Sequence, residues 1–246
     1  MIIEVVSFSS GVKGMEDAYG IFHNGFIICD GVGSCNYGGE MAKLLAEKFT
    51  NKVSFIRDVN DIYMALNQIY IDVMELVNES PSKEWKTTFI IVAGLNHNEY
   101  IISWAGNGSA FVVKPEYLID NFRQFINVMF PDVKGDVLTA TFDPGMLTNP
   151  NIIHLYSRES VMVIACTDGV YSPENAKFGK DEEGIIYTER SVILDFFLSR
   201  VWESVKHGKE LGIAIRNSLE DVKEKFKNEV EDDATIGVIV PENFKF

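Results

Sequence analysis

Residues 87–114 read TTFIIVAGLNHNEYIISWAGNGSAFVVK. Three apolar runs follow one another, parted by Asn96-His97-Asn98 and by Gly106-Asn107-Gly108. β-Branched and aromatic residues fill the runs, and the breaks carry residues that favour tight turns. The stretch predicts three consecutive strands in a meander, and strands joined by tight turns are antiparallel.

Outward from that meander the same alternation recurs. Upstream, residues 2–8 are rich in Ile and Val, and AYGIFHNGFIICD (18–30) is two runs joined by Asn24-Gly25, a two-residue hairpin signal. Downstream, NIIHLY, VMVIACTDG and the late TIGVIV read as strands. Helical stripes separate these groups. Met41, Leu45 and Phe49 mark a helix over 38–49, and Ile62, Leu66, Ile69, Val73 and Leu76 mark one over about 58–78. Two more are expected near 190–203 and 209–228, the second striped by Leu211, Ile215, Leu219, Val222 and Phe226. Residues 115–150 are ambiguous, with helix expected near 116–129. Strands come in runs and helices in pairs, which argues against alternating βαβ units. The expected fold is α+β, a four-layer α/β/β/α sandwich of two antiparallel sheets flanked by helix pairs. No repeat or linker divides residues 1–246, so one domain is expected.

Composition narrows the partners. Lys and Arg number 22 against 36 Asp and Glu, for a formal net charge of -14. Such a chain is repelled by nucleic acid and by anionic membranes. No apolar stretch reaches the roughly 20 residues that span a bilayer. The start, MIIEVVSFSS, lacks the basic region of a signal peptide. Three cysteines without framework spacing suit a reduced, cytoplasmic chain. Cys29 and Cys166 read as small hydrophobes in buried strands.

The acids fall in a pattern. Asp30 ends FIICD, Asp168 ends VMVIACTD, and each is followed by glycine. Asp232 and Asp233 precede ATIGVIV, and Glu16 and Asp17 precede AYGIF. Any one Asp-Gly is an ordinary turn pair. Four apolar strands with carboxylates at one tip are harder to assign to chance. If the sheets gather those tips, the anions must take up protons or hold a cation. Oxygen-only clusters suit Mg²⁺ or Mn²⁺. Gly31 lets the chain bend beside Asp30, could offer its carbonyl, and avoids a Cβ in the way of the ion.

Other chemistries fit less well. DGVGSCN lacks the third glycine of a dinucleotide fingerprint. There is no P-loop, no cysteine with Arg six residues on, and no G-x-S-x-G elbow around Ser109. His23, His97, His154 and His207 show no ligand spacing and read as structural or exposed.

The order MEDAYG, CDGVGS…GGEMA, TTFIIVAGL…WAGNGSAFVV, ACTDGVYS and DDATIGVIV resembles the PPM family, the metal-dependent type 2C serine/threonine protein phosphatases, in compact bacterial form. The resemblance runs from Glu16 to Val240. It implies that Asp30 bridges two Mn²⁺ or Mg²⁺ ions, with the Gly31 carbonyl helping to bind one. Asp168 and Asp232 match ligands of the other ion, and Glu16 and Asp17 match acids that hold metal-bound waters. The family's phosphate-binding Arg falls at Val12, beside Lys13, which can serve as a point charge without Arg's fork. The aspartate linked to a third ion is Asn107, so two ions are expected. Ser34 replaces a glycine and Val32 a histidine found in some members. The implied activity is hydrolysis of phosphoserine and phosphothreonine in proteins, by a bridging hydroxide on a di-metal centre. A monomer engaged in signalling is expected. A binding or regulatory module with little catalysis, and a small-molecule phosphomonoesterase, stay open as alternatives.

Overall fold

The computed structural model describes all residues except 10, 12–13, 79–83, 115–125, 135–136, 145–148, 172–177, 181–185, 189–190 and 245–246. Along the chain run β1 (Ile2–Phe8), β2 (Ala18–Phe22), β3 (Gly25–Gly31), α1 (Gly38–Lys52), α2 (Val59–Asn78), β4 (Thr87–Asn96), β5 (Glu99–Ala105) and β6 (Ser109–Val113). Short strands follow, β7 (Ile126–Asn127), β8 (Val133–Lys134) and β9 (Val137–Leu138), then β10 (Asn151–Tyr156) and β11 (Met162–Cys166). The chain continues through β12 (Phe178–Lys180), β13 (Ile186–Thr188), α3 (Val192–Lys206), α4 (Leu211–Phe226) and β14 (Ala234–Val240).

Ten of these strands form two antiparallel sheets, ordered β1-β14-β11-β6-β7 and β10-β5-β4-β3-β2. Period-two alternation divides each strand's side chains between two layers. Phe26, Ile28, Val92, Tyr100, Ile102, Val163 and Ile239 fill the space between the sheets. The alternate residues Ile27, Cys29, Ile91 and Ile101 meet Met41, Leu45, Phe49, Ile62, Ile69 and Val73 of α1 and α2. On the far side, Val6, Met162, Ile164 and Val238 meet Leu194, Phe197, Ile215, Leu219 and Val222 of α3 and α4. The helical stripes thus face the sheets, and the four-layer α/β/β/α sandwich follows. Gly237 gives the sheets their closeness, since a Cβ there would lie 2.3 Å from the Phe26 ring.

Two local expectations are corrected. The β2–β3 turn is His23-Asn24, because Phe22 pairs with Gly25. Asn24 is buried there: its amide donates to the carbonyls of Ile56 and Gly94, at 2.8 and 3.1 Å, and its oxygen accepts from the Ile56 amide at 3.0 Å. Gly25 is instead required by packing, with Val92 O only 2.1 Å from a would-be Cβ. The helix expected near 116–129 does not reach 126–127, which pair with Phe111 and Val112 as β7; residues 115–125 lie outside the described residues. No described helix is long and apolar enough to cross a membrane.

Candidate metal centre

The acid-bearing tips lie at one rim, where both sheets contribute. Asp17 directly precedes β2, Asp30 sits near the end of β3, Asp168 follows β11 and Asp232 precedes β14. Glycine makes the convergence possible. A Cβ on Gly169 would lie 2.0 Å from Asp233 O, so the Asp168 turn and the Asp232 turn are in backbone contact. Gly31 must be bare for the packing of α1, since its would-be Cβ meets Gly38 C at 2.4 Å and Gly39 N at 2.5 Å.

Asp30 and Asp168 lie close enough to act on each other's acidity. Burial first, then repulsion from Asp17, Asp168 and Asp232, pushes the Asp30 carboxyl well above the usual range. Burial and the charge of Asp232 likewise raise Asp168. Asn107 opposes this by donating Nδ2 to Asp168 Oδ2 at 2.7 Å. Behind Asp30, its own carbonyl accepts from Thr87 Oγ1 at 2.7 Å and Thr88 Oγ1 at 3.4 Å.

Asp17 is 3% exposed and held differently. Its Oδ2 accepts from Thr167 Oγ1 at 2.9 Å and Thr235 Oγ1 at 2.7 Å. The two threonines are themselves tied, Thr235 N donating to Thr167 Oγ1 at 2.9 Å, and Ser7 Oγ lies 2.7 Å from Thr235 Oγ1. Burial, only partly offset by those hydroxyls, raises Asp17 to about 7. Asp233, 8% exposed, binds backbone: its Oδ2 accepts from the amides of Glu16 and Asp17, the latter at 3.4 Å.

The sequence-derived candidates therefore separate. Asp30, Asp168, Asp232 and Asp17 act on one another, with Asp232 exposed at the edge. The Glu16 carboxylate faces the Gly33 turn, with Oε2 at 3.6 Å from that glycine's would-be Cβ. It is not among the strongest influences on Asp30 or Asp168. Gly31 gives its amide to Glu16 O at 3.3 Å. Lys13 lies outside the described residues. Sequence reading missed Thr167 and Thr235 as the clamp on the Asp17 carboxylate and Asp233 as the anchor of the Glu16 and Asp17 amides, although all three lie within three residues of Asp168 or Asp232.

Among the described residues, no three His, Cys, Asp or Glu side chains stand as a ready cage for one ion. The donor set nevertheless fits hard divalent cations. It is all oxygen, and two of its buried oxygens, Asp17 Oδ1 and Asn107 Oδ1, have no hydrogen-bond partner. Cys29, Cys35 and Cys166 are free and buried, the burial raising all three thiols.

Two antiparallel sheets between helix pairs, with acids gathered at one rim, make the fold of the PPM-type serine/threonine phosphatases. Solved structures share it across nearly the whole chain. An arginine-to-lysine variant of a bacterial serine phosphatase covers 100% of both chains with TM-score 0.69 and 12% identity. Stp1 from Staphylococcus aureus covers 98% of this chain and 95% of its own, with TM-score 0.68 and 14% identity. The catalytic domain of the phosphatase PstP, in complex with two manganese ions, covers 96% of each with TM-score 0.64 and 13% identity. At these identities the likeness is one of fold. No protein-family model matches the sequence, and no curated protein matches it significantly.

Proposed function

We propose that this chain is a metal-dependent phosphatase for phosphoserine and phosphothreonine in proteins, folded as one domain over residues 1–246. One observation carries the reading: four carboxylates, from separate strand tips on two sheets, are gathered closely enough to repel one another. The strongest influences on Asp30 are burial and other anions. Bare repulsion of this kind is costly unless a cation is meant to occupy the cluster.

Asp30, Asp168 and Asp232 would hold the ions, with the Gly31 carbonyl beside them. Divalent ions bound there supply charge that screens the phosphate dianion and lowers the pKa of water. The remaining work belongs to the chain. Asp17, one oxygen fixed by two threonine hydroxyls and the other free, is poised to accept a hydrogen bond from water entering the cluster. Asn107 orients Asp168 through its amide. Glu16, beside the Gly33 turn, is proposed to hold water at the ions, and Lys13 to attract the phosphate. The manganese of the PstP complex supports the choice of ion by analogy.

The test is phosphate release from p-nitrophenyl phosphate and from phosphoserine and phosphothreonine peptides, with Mn²⁺ or Mg²⁺ and with EDTA. Turnover that needs the ion and favours peptides over metabolite phosphates supports the reading. Tight Mn²⁺ binding by calorimetry without hydrolysis of any ester would replace it with the binding-module alternative.

A further inference from the structure

We propose that Asp132 is a positioning residue, which sets Asp168 through the Gly106-Asn107 turn from a segment outside the sandwich. The inference rests on the phosphatase reading for what the acid cluster does, but the link itself is geometric.

Residues 128–134 and 137–143 cross from one sheet to the other at the rim. Near the first sheet, the Val128 amide donates to Ala110 O at 2.9 Å. Asp132 then grips the Gly106 residue twice. Its own amide donates to Gly106 O at 2.9 Å, and its Oδ2 accepts from Gly106 N at 3.1 Å. Gly106 has φ +123, and a Cβ there would fall 2.4 Å from Thr88 Cβ. The turn is thus fixed by Thr88 on one side and Asp132 on the other, and no residue but glycine suits it. Asn107 comes next and donates to Asp168 at 2.7 Å. The Asp132 carboxylate is itself anchored by Asn151 Nδ2, at 2.8 and 2.9 Å to its two oxygens.

The same crossing segment reaches the second sheet. Phe142 and Thr87 exchange both backbone hydrogen bonds, at 2.8 and 3.2 Å, and Thr87 Oγ1 donates to the Asp30 carbonyl. Asp30 and Asp168 belong to different sheets, which the Asp17 clamp on Thr167 and Thr235 also ties together. The crossing strap adds a second link, hydrogen-bonded behind both carboxylates. Groups that orient metal ligands in this way commonly alter affinity and rate together.

Three variants read the link in intact protein: Asp132→Ala, Asp132→Asn and Asn107→Ala. Calorimetric titration with Mn²⁺ and kcat and KM for p-nitrophenyl phosphate are measured for each, and the ¹⁵N resonance of the Asn107 side-chain amide for the two Asp132 variants. Asp132→Ala is expected to weaken Mn²⁺ binding about tenfold, to lower kcat with little change in KM, and to move the Asn107 amide signal to the position of a solvated asparagine. Asp132→Asn keeps an oxygen for the Gly106 amide and restores all three. With Asn107→Ala already present, Asp132→Ala adds no further loss of Mn²⁺ affinity. An unmoved Asn107 signal in Asp132→Ala overturns the proposal, as does an undiminished loss in the Asn107→Ala background. If Asp132→Ala does not fold, Asp132→Glu, whose oxygens are displaced by one methylene, is expected to give the same readings in the same direction. Wild-type protein that binds no Mn²⁺, yet loses the Asn107 signature in Asp132→Ala, retires the phosphatase reading and keeps this link.

Discussion

Between the two sheets lies a layer in which the polar side chains Tyr100 and Trp104 each donate to a backbone carbonyl, of Val161 and Phe130. At the rim, on the tips of neighbouring strands, carboxylates crowd one another and the buried oxygens Asp17 Oδ1 and Asn107 Oδ1 go without partners. Tyr100 and Trp104 obey the rule that buried polar groups are satisfied. The rim breaks it. Strands that gain stability from one end are therefore held in place to tolerate repulsion at the other. Substitutions in the two regions should move different observables.

The largest effect is expected at the rim. Asp168→Asn should lower kcat by about 10²–10³, since it removes a charge that would act on the ions. Its melting temperature without metal should stay level or rise, because repulsion with Asp30 and Asp232 is relieved. A variant that melts lower and turns over normally would erase the distinction between the regions. In the interior, Gly237→Ala should show the reverse. Its Cβ would press on the fully buried Phe26 ring, and overpacking of this kind costs about 1–3 kcal/mol, read by denaturant unfolding; metal affinity of the folded fraction should be unchanged.

Acidity separates the regions again. Native Asp17 takes up its proton near pH 7, whereas the unfolded chain does so near 3.8. Between those values the folded state binds more protons, so stability falls as pH rises through the window. Moving metal-free protein from pH 7.5 to 5.5 should add roughly 1–2 kcal/mol through this rim, and saturating Mn²⁺ should shrink or reverse the shift. The smallest effect is expected from Thr235→Val. Asp17 keeps the Thr167 hydroxyl but loses one of two donors, for about 1 kcal/mol, and its pKa rises further. Thr235→Ser should be near wild type in both.

The sequence made the sandwich legible because period two and period 3.6 are local signals. Met41, Leu45 and Phe49 face the sheet as their spacing predicts. The β2–β3 turn escaped because Asn24 answers to Ile56 and Gly94, distant partners that a dipeptide pattern does not contain. Residues 126–127 escaped for a similar reason, as β7 exists only through its pairing with β6. At the rim, apolar strands ending in Asp-Gly announced Asp30 and Asp168. Nothing local announced that Asp233 would hold the Glu16 and Asp17 amides, or that two threonines would share one oxygen of Asp17, since those partners stand far apart in the chain. Nor did anything local announce that Gly31 would pack against the start of α1.

Strand β14 lies between β1 and β11 and carries Asp232, Asp233 and Thr235 at or beside its tip. During translation it leaves the ribosome after every other strand and helix described here. Until then β1 has no partner in its sheet, Asp17 has one hydroxyl instead of two, and the rim has no Asp232. A chain halted before residue 232 should thus present an unfinished sheet edge and a rim without Asp232, Asp233 and the second hydroxyl on Asp17, all of which arrive with β14.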